Sequence, residues 1–565
     1  MNQPRPQVQG VVRLWITAGL MLAAALVLVG RAINLQVMET DFLQGQGEAR
    51  FLRTVAIPTV RGNILDRNGE PLAVSTPVES VWAHPGELLQ AADRIPMLAG
   101  LLGTPADELE RRLTQRSARE FVWIQRRIHP DLAARIRELE IPGVFLQREY
   151  RRFYPTGPVS AQVLGFTNID DIGQEGLELA YNNWLQGEPG AKRVIKDRLG
   201  RVVQNVELVS EARPGRDLQL TLDRRLQYLA FRELKTAIVD FGATSGSVVV
   251  MDVTNGEILA MVNYPSYNPN ASARGPSEGL RNRALTDVLE PGSVIKPFAL
   301  AAAMEAGVAH REMMINTSPG YMVVAGHTIR DVRNYGELSV EGLLVKSSNV
   351  GVVDLILQMD ARHLWGLYSR MGFGSVSGTG FPGESAGVLR DYERWRRLEQ
   401  ATLSYGYGLS VTPVQLVRAM GALADEGRLR QPTFIANSDN PPHSVLDPTL
   451  AREISLMLEA ATGTEGTGTR AQVAGYRVAG KTGTSRKVGV GGYDSRYVAS
   501  FAGFAPVSRP RLAAAVVIND PSGEAYYGGQ VAAPVFGRVM DSALRLLNVP
   551  PDDHASLLTH AGGVQ

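Results

Sequence analysis

Ser293 and Lys296 lie three residues apart in the stretch EPGSVIKPF (290–298), and their types and spacing suit acyl transfer. A serine hydroxyl needs a base to become a nucleophile, and a lysine relieved of its proton can be that base. Pro291-Gly292 supplies a turn, and the run VIKPFALAAAMEAG follows it. The spacing therefore predicts Ser293 at or near a helix N-terminus, where backbone amides favour negative charge, with Lys296 one turn on along the same face. Pro297 is compatible with a first helical turn, where its missing N–H costs nothing. The lysine is itself informative. Of the 58 Lys and Arg residues only seven are lysine. A codon preference accounts for the ratio, but arginine cannot give up its proton near neutral pH, whereas a buried lysine can.

Two further motifs follow in order. KSSN (346–349) places Ser347 and Asn349 two apart within a helical pattern, and KTGT (481–484) puts Lys481, Thr482, Gly483 and Thr484 ahead of strand-like residues. Three of the seven lysines fall in these three motifs. The stretch GYRVAGKT (475–482), which overlaps the last motif, also fits a phosphate-binding G-x-x-x-x-G-K-[ST] loop. That loop requires a buried strand before it and a helix after it. Here a polar, glycine-rich stretch precedes it and a glycine-rich one follows, which argues against nucleotide binding.

The elements that must position these residues can be read around them. RRLQYLAFRELKTAI (224–238) predicts a helix, SVVVMDV and EILAMV a hairpin about Thr254-Asn255-Gly256, VASFAGFAP and RLAAAVVIND two more strands, and PVFGRVMDSALRLL a closing helix. Strands in hairpins with flanking helices and no regular βαβ rhythm predict an α+β fold. Upstream, FLRTVAIPTVRGNILDRNGEPLAVS predicts strands joined by tight turns, TPADELERRL a helix with Thr104 as N-cap, HPDLAARIRELEIPG a short helix, and DRLGRVV (197–203) a strand. Arginines between Arg111 and Arg152 alternate with Glu108, Glu110, Glu138 and Glu140, which predicts a salt-bridged solvent face. The formal net charge is +1 and there is no cysteine, so nothing suggests a nucleic-acid partner, and disulfides, thiol nucleophiles and Cys-based zinc sites are excluded. LWITAGLMLAAALVLVG (14–30) is uncharged and apolar, bounded by Arg13 and Arg31, with no small-x-small cleavage site after it. It predicts an uncleaved membrane anchor at the short edge of a span, with residues 1–13 cytoplasmic and the bulk of the chain outside.

The ordered set S-x-x-K, S-x-N and K-T-G resembles that of the penicillin-binding proteins. RGNILDRNGEPLA, RRFYPTGPVSAQVLG, GQEGLELAYNNWLQGEPG and DRLGRVV resemble pedestal signatures of the class B members, and SYGYGLSVTPVQL and YYGGQVAAPVFG are similar to the division-specific, septal transpeptidase of penicillin-binding protein 3 type. The resemblance implies a serine transpeptidase fold, an antiparallel sheet flanked by helices, on an elongated α+β pedestal. It implies a cytoplasmic tail (1–13), an anchor (14–30), a periplasmic pedestal (31–215), a transpeptidase domain (216–548) and a tail (549–565). One departure is Ser348 where the S-D-N form has Asp.

The same resemblance implies roles. Ser293 would attack the D-Ala-D-Ala carbonyl of a peptidoglycan stem peptide, with Lys296 as base. Lys481 would lower the Lys296 pKa by like-charge repulsion, and Ser347 would relay the proton. The amides of Ser293 and Thr484 would form the oxyanion hole. Lys481, Thr482, Gly483 and Thr484 would hold the substrate carboxylate strand, Asn349 the peptide amide, and Tyr407, Tyr497, Tyr526 and Tyr527 would wall the cleft. β-Lactams would acylate Ser293, no metal or organic cofactor is expected, and a septal glycosyltransferase of the division machinery is the expected membrane partner. D,D-carboxypeptidase activity, β-lactam hydrolysis and a non-catalytic division scaffold remain as alternatives. The first differs only in the acceptor of the acyl group, hydrolysis needs a water activator that nothing nominates, and the intact serine and lysines oppose the scaffold.

Overall fold

The computed structural model describes residues 8–38, 52–196, 202–271, 279–489 and 491–553. They fall into two compact units that interleave along the chain: one from the described parts of 1–60, 77–150 and 187–214, the other from those of 61–76, 151–186 and 215–565. The chain passes from one unit to the other between Pro214 and Gly215, and 61–76 and 151–186 group with the residues that follow.

In the first unit α1 (Val8–Ile33) is a 26-residue helix. At 1.5 Å per residue it is about 39 Å long, against roughly 30 Å of bilayer hydrocarbon. Its side chains from 11 to 33 are almost all exposed. The 17-residue apolar run is thus embedded in a longer helix, and arginine snorkelling is not needed to reach span length. Strands β1 (Leu52–Ile57), β5 (Gly190–Lys196) and β6 (Val202–Ser210) form an antiparallel sheet in the order β1-β5-β6. Between them in sequence, β2 (Pro71–Ala83) pairs through its last residues with β3 (Val122–Ile128), and β4 (Val144–Phe153) also pairs with β2. Val81, Ala83 and Ile124 face a core with Leu88, Leu98, Leu113 and Ile136 from short helices.

Three sequence expectations in this region change. The helix begins at Ala106, with Pro105 at the N-cap and no side-chain cap, so Thr104 lies outside it. The arginines do not pair with Glu108, Glu110, Glu138 or Glu140 in the ion pairs described: Arg126 pairs with Glu149, Arg137 with Glu79, and Arg112 donates to the carbonyls of Trp123 and Ile124. Those four acids are exposed, Glu140 beyond the end of its helix, a placement that spacing alone does not reveal. Of the expected DRLGRVV strand, residues 197–201 lie outside the described residues, and β6 begins at Val202.

The second unit is built on a five-stranded antiparallel sheet. After α2 (Arg224–Asp240) come β7 (Ser245–Asp252) and β8 (Ile258–Tyr264), the hairpin around Thr254-Asn255-Gly256. Then follow α3 (Lys296–Glu305), α4 (Val340–Val345), α5 (Asn349–Ile356), α6 (Pro413–Ala424) and α7 (Pro448–Thr462). Strands β9 (Ala479–Gly489), β10 (Gly492–Ala505) and β11 (Leu512–Asn519) complete the sheet in the order β8-β7-β11-β10-β9, and α8 (Gly528–Leu546) closes the unit. Every residue of β7 is buried. Its alternation explains why: Val248 and Val250 join α2 and α8 in one core, while Val249 and Met251 join α3, α6 and α7 in the other. Helix α8 starts at Gly528, six residues before the expected segment, and runs through Pro534.

Three early signature segments meet inside this unit. Arg61 Nε donates to Glu178 Oε2 at 2.7 Å and Arg152 Nε to Glu178 Oε1 at 2.6 Å, with all three side chains at most 1% exposed. Arg152 Nη1 also reaches the Gly62 carbonyl at 2.7 Å, and Arg61 Nη2 the Glu178 carbonyl at 2.9 Å.

Candidate functional site

Ser293 sits in a single 3-10 turn (Gly292–Ile295) that runs directly into α3. Gly292 takes a left-handed φ of 54° to make the turn. The turn lies against the free edge of β9: a Cβ on Gly483 would come within 2.7 Å of Pro291 O, and one on Gly292 within 3.1 Å of Thr484 O. Only glycine permits that approach. Ser293 is partly exposed, and its side chain has no hydrogen bond among the described residues.

Lys296, one turn along, is fully buried. Its Nζ donates to Ser347 O at 2.6 Å and Asn349 Oδ1 at 2.7 Å, and lies 3.4 Å from Ser347 Oγ. Lys481, also buried, approaches the same hydroxyl from β9, with Nζ 3.0 Å from Ser347 Oγ and 3.3 Å from Thr482 O. Thr482 Oγ1 is 2.8 Å from Thr467 Oγ1, and Thr484 Oγ1 accepts from Gly528 N at 2.9 Å, at the start of α8. The structure thus gathers Lys296, Ser347, Asn349, Lys481 and Thr482 into one polar cluster, and holds Ser293 and Thr484 on the facing turn and strand edge.

The S-x-N residues are not in the interior of a helix, as their pattern suggested: Ser347 and Ser348 form the turn between α4 and α5, and Asn349 is the first residue of α5. Lys346 ends α4, Ser347 adopts a left-handed φ of 58°, and Ser348 is the N-cap of α5. A non-glycine residue in that region signals strain held by its surroundings. Here the support is Asp331, which the sequence reading missed. It accepts from Ser348 Oγ (2.6 Å), Asn349 N and Val350 N (3.0 Å). Asn349 Nδ2 also donates to Arg330 O at 2.9 Å. Lys346 does not point into the cluster; its Nζ pairs with Glu465 Oε2 at 2.7 Å.

Burial holds Lys296 well below the ordinary lysine range, with the Lys481 charge adding to the shift and Asp331 opposing it. Lys481 is pushed down to about 7 by burial. The larger cause for Lys296 is therefore desolvation, with the like-charge repulsion expected from sequence second.

The four candidate tyrosines split into two groups along β9 beyond the K-T-G residues. Tyr497, Tyr526 and Tyr527 stack with ring centroids 4.4 Å apart, and the Arg486 guanidinium lies 5.9 Å from the Tyr497 ring. Tyr407 packs instead with Tyr405 and Tyr493, and its hydroxyl accepts from Arg486 N at 3.4 Å. Tyr493 OH donates to Glu290 Oε1 at 3.1 Å, and burial raises the Glu290 carboxyl pKa. A 420 Å³ cavity beside Glu290, Ser485 and Arg486 contains none of the lysine cluster. Lys481 lies within a strand with no helix after it, which disposes of the phosphate-loop match. Among the described residues no group of three or more His, Asp or Glu side chains could hold a metal ion.

The chain matches the penicillin binding protein transpeptidase domain over residues 246–541 and the penicillin-binding protein dimerisation domain over residues 56–220. The peptidoglycan D,D-transpeptidase FtsI of Escherichia coli (strain K12) is 43% identical, covering 96% of this chain and 92% of the relative. The probable peptidoglycan D,D-transpeptidase PenA of Neisseria gonorrhoeae is 41% identical, covering 93% of this chain and 91% of its own length. Among solved structures, the apo transpeptidase domain of Burkholderia pseudomallei penicillin-binding protein 3 is 42% identical with a TM-score of 0.55, covering 59% of this chain and 98% of that one. A peptidoglycan synthetase from Bifidobacterium adolescentis is 25% identical with a TM-score of 0.70, covering 89% and 98% respectively.

Proposed function

The chain belongs to the penicillin-binding proteins, and on that premise we propose the residues by which it acts. It is a serine-type peptidoglycan D,D-transpeptidase of septal wall synthesis, inhibited by β-lactams, and a single-pass inner-membrane protein with its catalytic part in the periplasm.

Ser293 Oγ attacks the carbonyl carbon between the two terminal D-alanines of a stem peptide, and Lys296 Nζ takes its proton. One observation carries this assignment: Lys296 is fully buried one turn from Ser293, and burial, with the Lys481 charge adding to it, holds its pKa well below the ordinary lysine range. That shift favours the neutral amine, whose lone pair can take the serine proton. The tetrahedral oxyanion is held by the amides of Ser293 and Thr484, fixed before the charge develops. The C–N bond then breaks as Ser347 Oγ passes its proton to the departing amine and takes in return the proton that Lys296 holds, 3.4 Å away, and D-alanine leaves an acyl-enzyme. An amine of a neighbouring stem attacks that ester, forms the cross-link and restores Ser293. Lys481, with Thr482 and Thr484 on the edge strand beside Gly483, binds the terminal carboxylate; Asn349 binds the peptide amide. Tyr407, Tyr497, Tyr526 and Tyr527 line the approach. A β-lactam follows the first half of this path and stays attached, because its leaving nitrogen remains tethered.

We keep the division into tail (1–13), anchor (14–30), pedestal (31–215), transpeptidase domain (216–548) and C-terminal tail (549–565). Its support is the order of the two family matches. A septal glycosyltransferase is the proposed membrane partner, reached through α1. The test is the assay of D-alanine release and cross-linked stems on pentapeptide-bearing peptidoglycan. The intact chain gives both products and Ser293→Ala neither; cross-linking by Ser293→Ala overturns the assignment.

A further inference from the structure

Lys346 is one of the seven lysines, yet the chemistry at Ser293 makes no use of its ammonium group. The polar, glycine-rich stretch ahead of K-T-G is likewise unused. In the folded chain the two meet. Lys346 is the C-cap of α4, directly before the left-handed Ser347. Its Nζ donates to Glu465 twice, to the carboxylate Oε2 at 2.7 Å and to the backbone carbonyl at 3.0 Å.

The carbonyl contact decides what this pair does. An exposed ion pair by itself is worth little, and the Glu465 side chain is 83% exposed. A bond to the backbone oxygen instead fixes the main chain of the loop, wherever the carboxylate goes. The loop, residues 463–468 (GTEGTG), follows α7, and three of its six residues are glycine, so it has much backbone freedom to lose. It is tied to α7 by Gly463 N, which donates to Glu459 O at 3.1 Å, and by Gly468 N, which donates to Ala461 O at 3.0 Å. Lys346 supplies the tie to the S-x-N turn.

The loop carries Thr467, two residues beyond Glu465. Its hydroxyl lies 2.8 Å from Thr482 Oγ1 and 3.5 Å from Lys481 Nζ. One lysine thus holds two pieces of the cluster together: the turn of Ser347, braced on its other side by Asp331, and the loop whose hydroxyl orients two residues of the edge strand.

We propose that Lys346 is a positioning residue for carboxylate recognition: it clasps the 463–468 loop to the S-x-N turn and so sets the Thr467 hydroxyl against Lys481 and Thr482. The inference rests on the reading of Lys481 and Thr482 as the site of the terminal carboxylate. A displaced loop leaves those two side chains free to reorient, a cost felt by a ligand with a free carboxylate and little by one without.

The test measures acylation of the full chain in detergent, per folded molecule, by benzylpenicillin and by its methyl ester. The variants are Lys346→Met, Thr467→Val and the two together. Each single variant is expected to acylate at least about fivefold more slowly with the acid and less than about twofold more slowly with the ester. The double variant should be no slower than the slower single one, because Lys346 acts through Thr467. Lys346→Ala serves if Lys346→Met does not fold. A merely structural role lowers the folded fraction and leaves the preference for the acid unchanged. Parental preference in Lys346→Met, equal losses on acid and ester, or additive losses in the double variant would each overturn the proposal. A parental chain indifferent to the carboxylate would instead overturn the underlying reading, and the proposal with it.

Discussion

Lys481 Nζ lies 3.0 Å from Ser347 Oγ. The contact ties the edge strand to the turn between α4 and α5, and it brings a second buried cation to the hydroxyl that Lys296 approaches from the other side. Two buried lysines around one serine cannot both hold protons cheaply.

A bell-shaped pH dependence of acylation follows. On the acid side the rate falls as Lys296 takes up a proton and ceases to be a base. On the alkaline side it falls as Lys481, pushed down to about 7, loses the charge that binds the carboxylate. Stopped-flow penicillin acylation from about pH 5 to about pH 9 measures both limbs. The same shift links to stability. Between about 7 and the unfolded lysine value of about 10.4, the unfolded chain binds the extra proton, so stability rises with pH in that window; below it the gain is absent. Lys481→Met removes this increment in denaturant titrations at fixed pH.

Asp331 is a positioning residue. Replacing it with Ala removes three acceptor contacts to Ser348, Asn349 and Val350 and leaves Ser347 without the brace for its left-handed backbone. We expect a stability loss of about 1–3 kcal/mol and acylation slowed at least about tenfold, because a small displacement of catalytic groups is costly. Thermal unfolding and acylation rates on the same preparation check both.

Gly483→Ala tests the close approach of the Ser293 turn to β9. The added methyl would lie 2.4 Å from Ser500 Oγ and 2.7 Å from both Pro291 O and Val294 Cγ2. Backbone on one side and a buried side chain on the other leave no easy relief, so the strand and turn must separate. The expected result is a folded protein whose penicillin acylation falls by about two orders of magnitude.

Glu178 carries the buried charge of Arg61 and Arg152. Glu178→Gln leaves two guanidinium groups without a counter-charge, a change that costs about 3–5 kcal/mol. Denaturant unfolding should show the loss, while the fraction that remains folded acylates at the parental rate.

The residues of the candidate site were more legible than the framework that gathers them. Ser293, Lys296 and the K-T-G strand could be read because their functional spacing is local: one helical turn, or successive residues on an edge strand. The hairpin about Thr254-Asn255-Gly256 was legible for the same reason. Asp331 and Thr467 gave no signal, since their partners lie 14 or more residues away and no periodicity links them. Ser347 was misplaced into a helix because the apolar rhythm continues from α4 into α5, and only the backbone φ reveals the break. Burial also outweighed repulsion at Lys296, a balance that needs the core around it to be seen. The arginine-rich stretch misled in another way: spacing proposed partners on one helix face, whereas Arg126 pairs with Glu149 from strand to strand and Arg137 with Glu79 from helix to strand.

The most direct test of the central claim is intact-mass spectrometry of the chain after exposure to a penicillin, followed over hours and mapped by proteolysis. A stable adduct of one drug molecule is expected on the peptide containing Ser293, absent from Ser293→Ala. An adduct on another residue, its persistence in Ser293→Ala, or rapid return to the free mass with hydrolysed drug would contradict it.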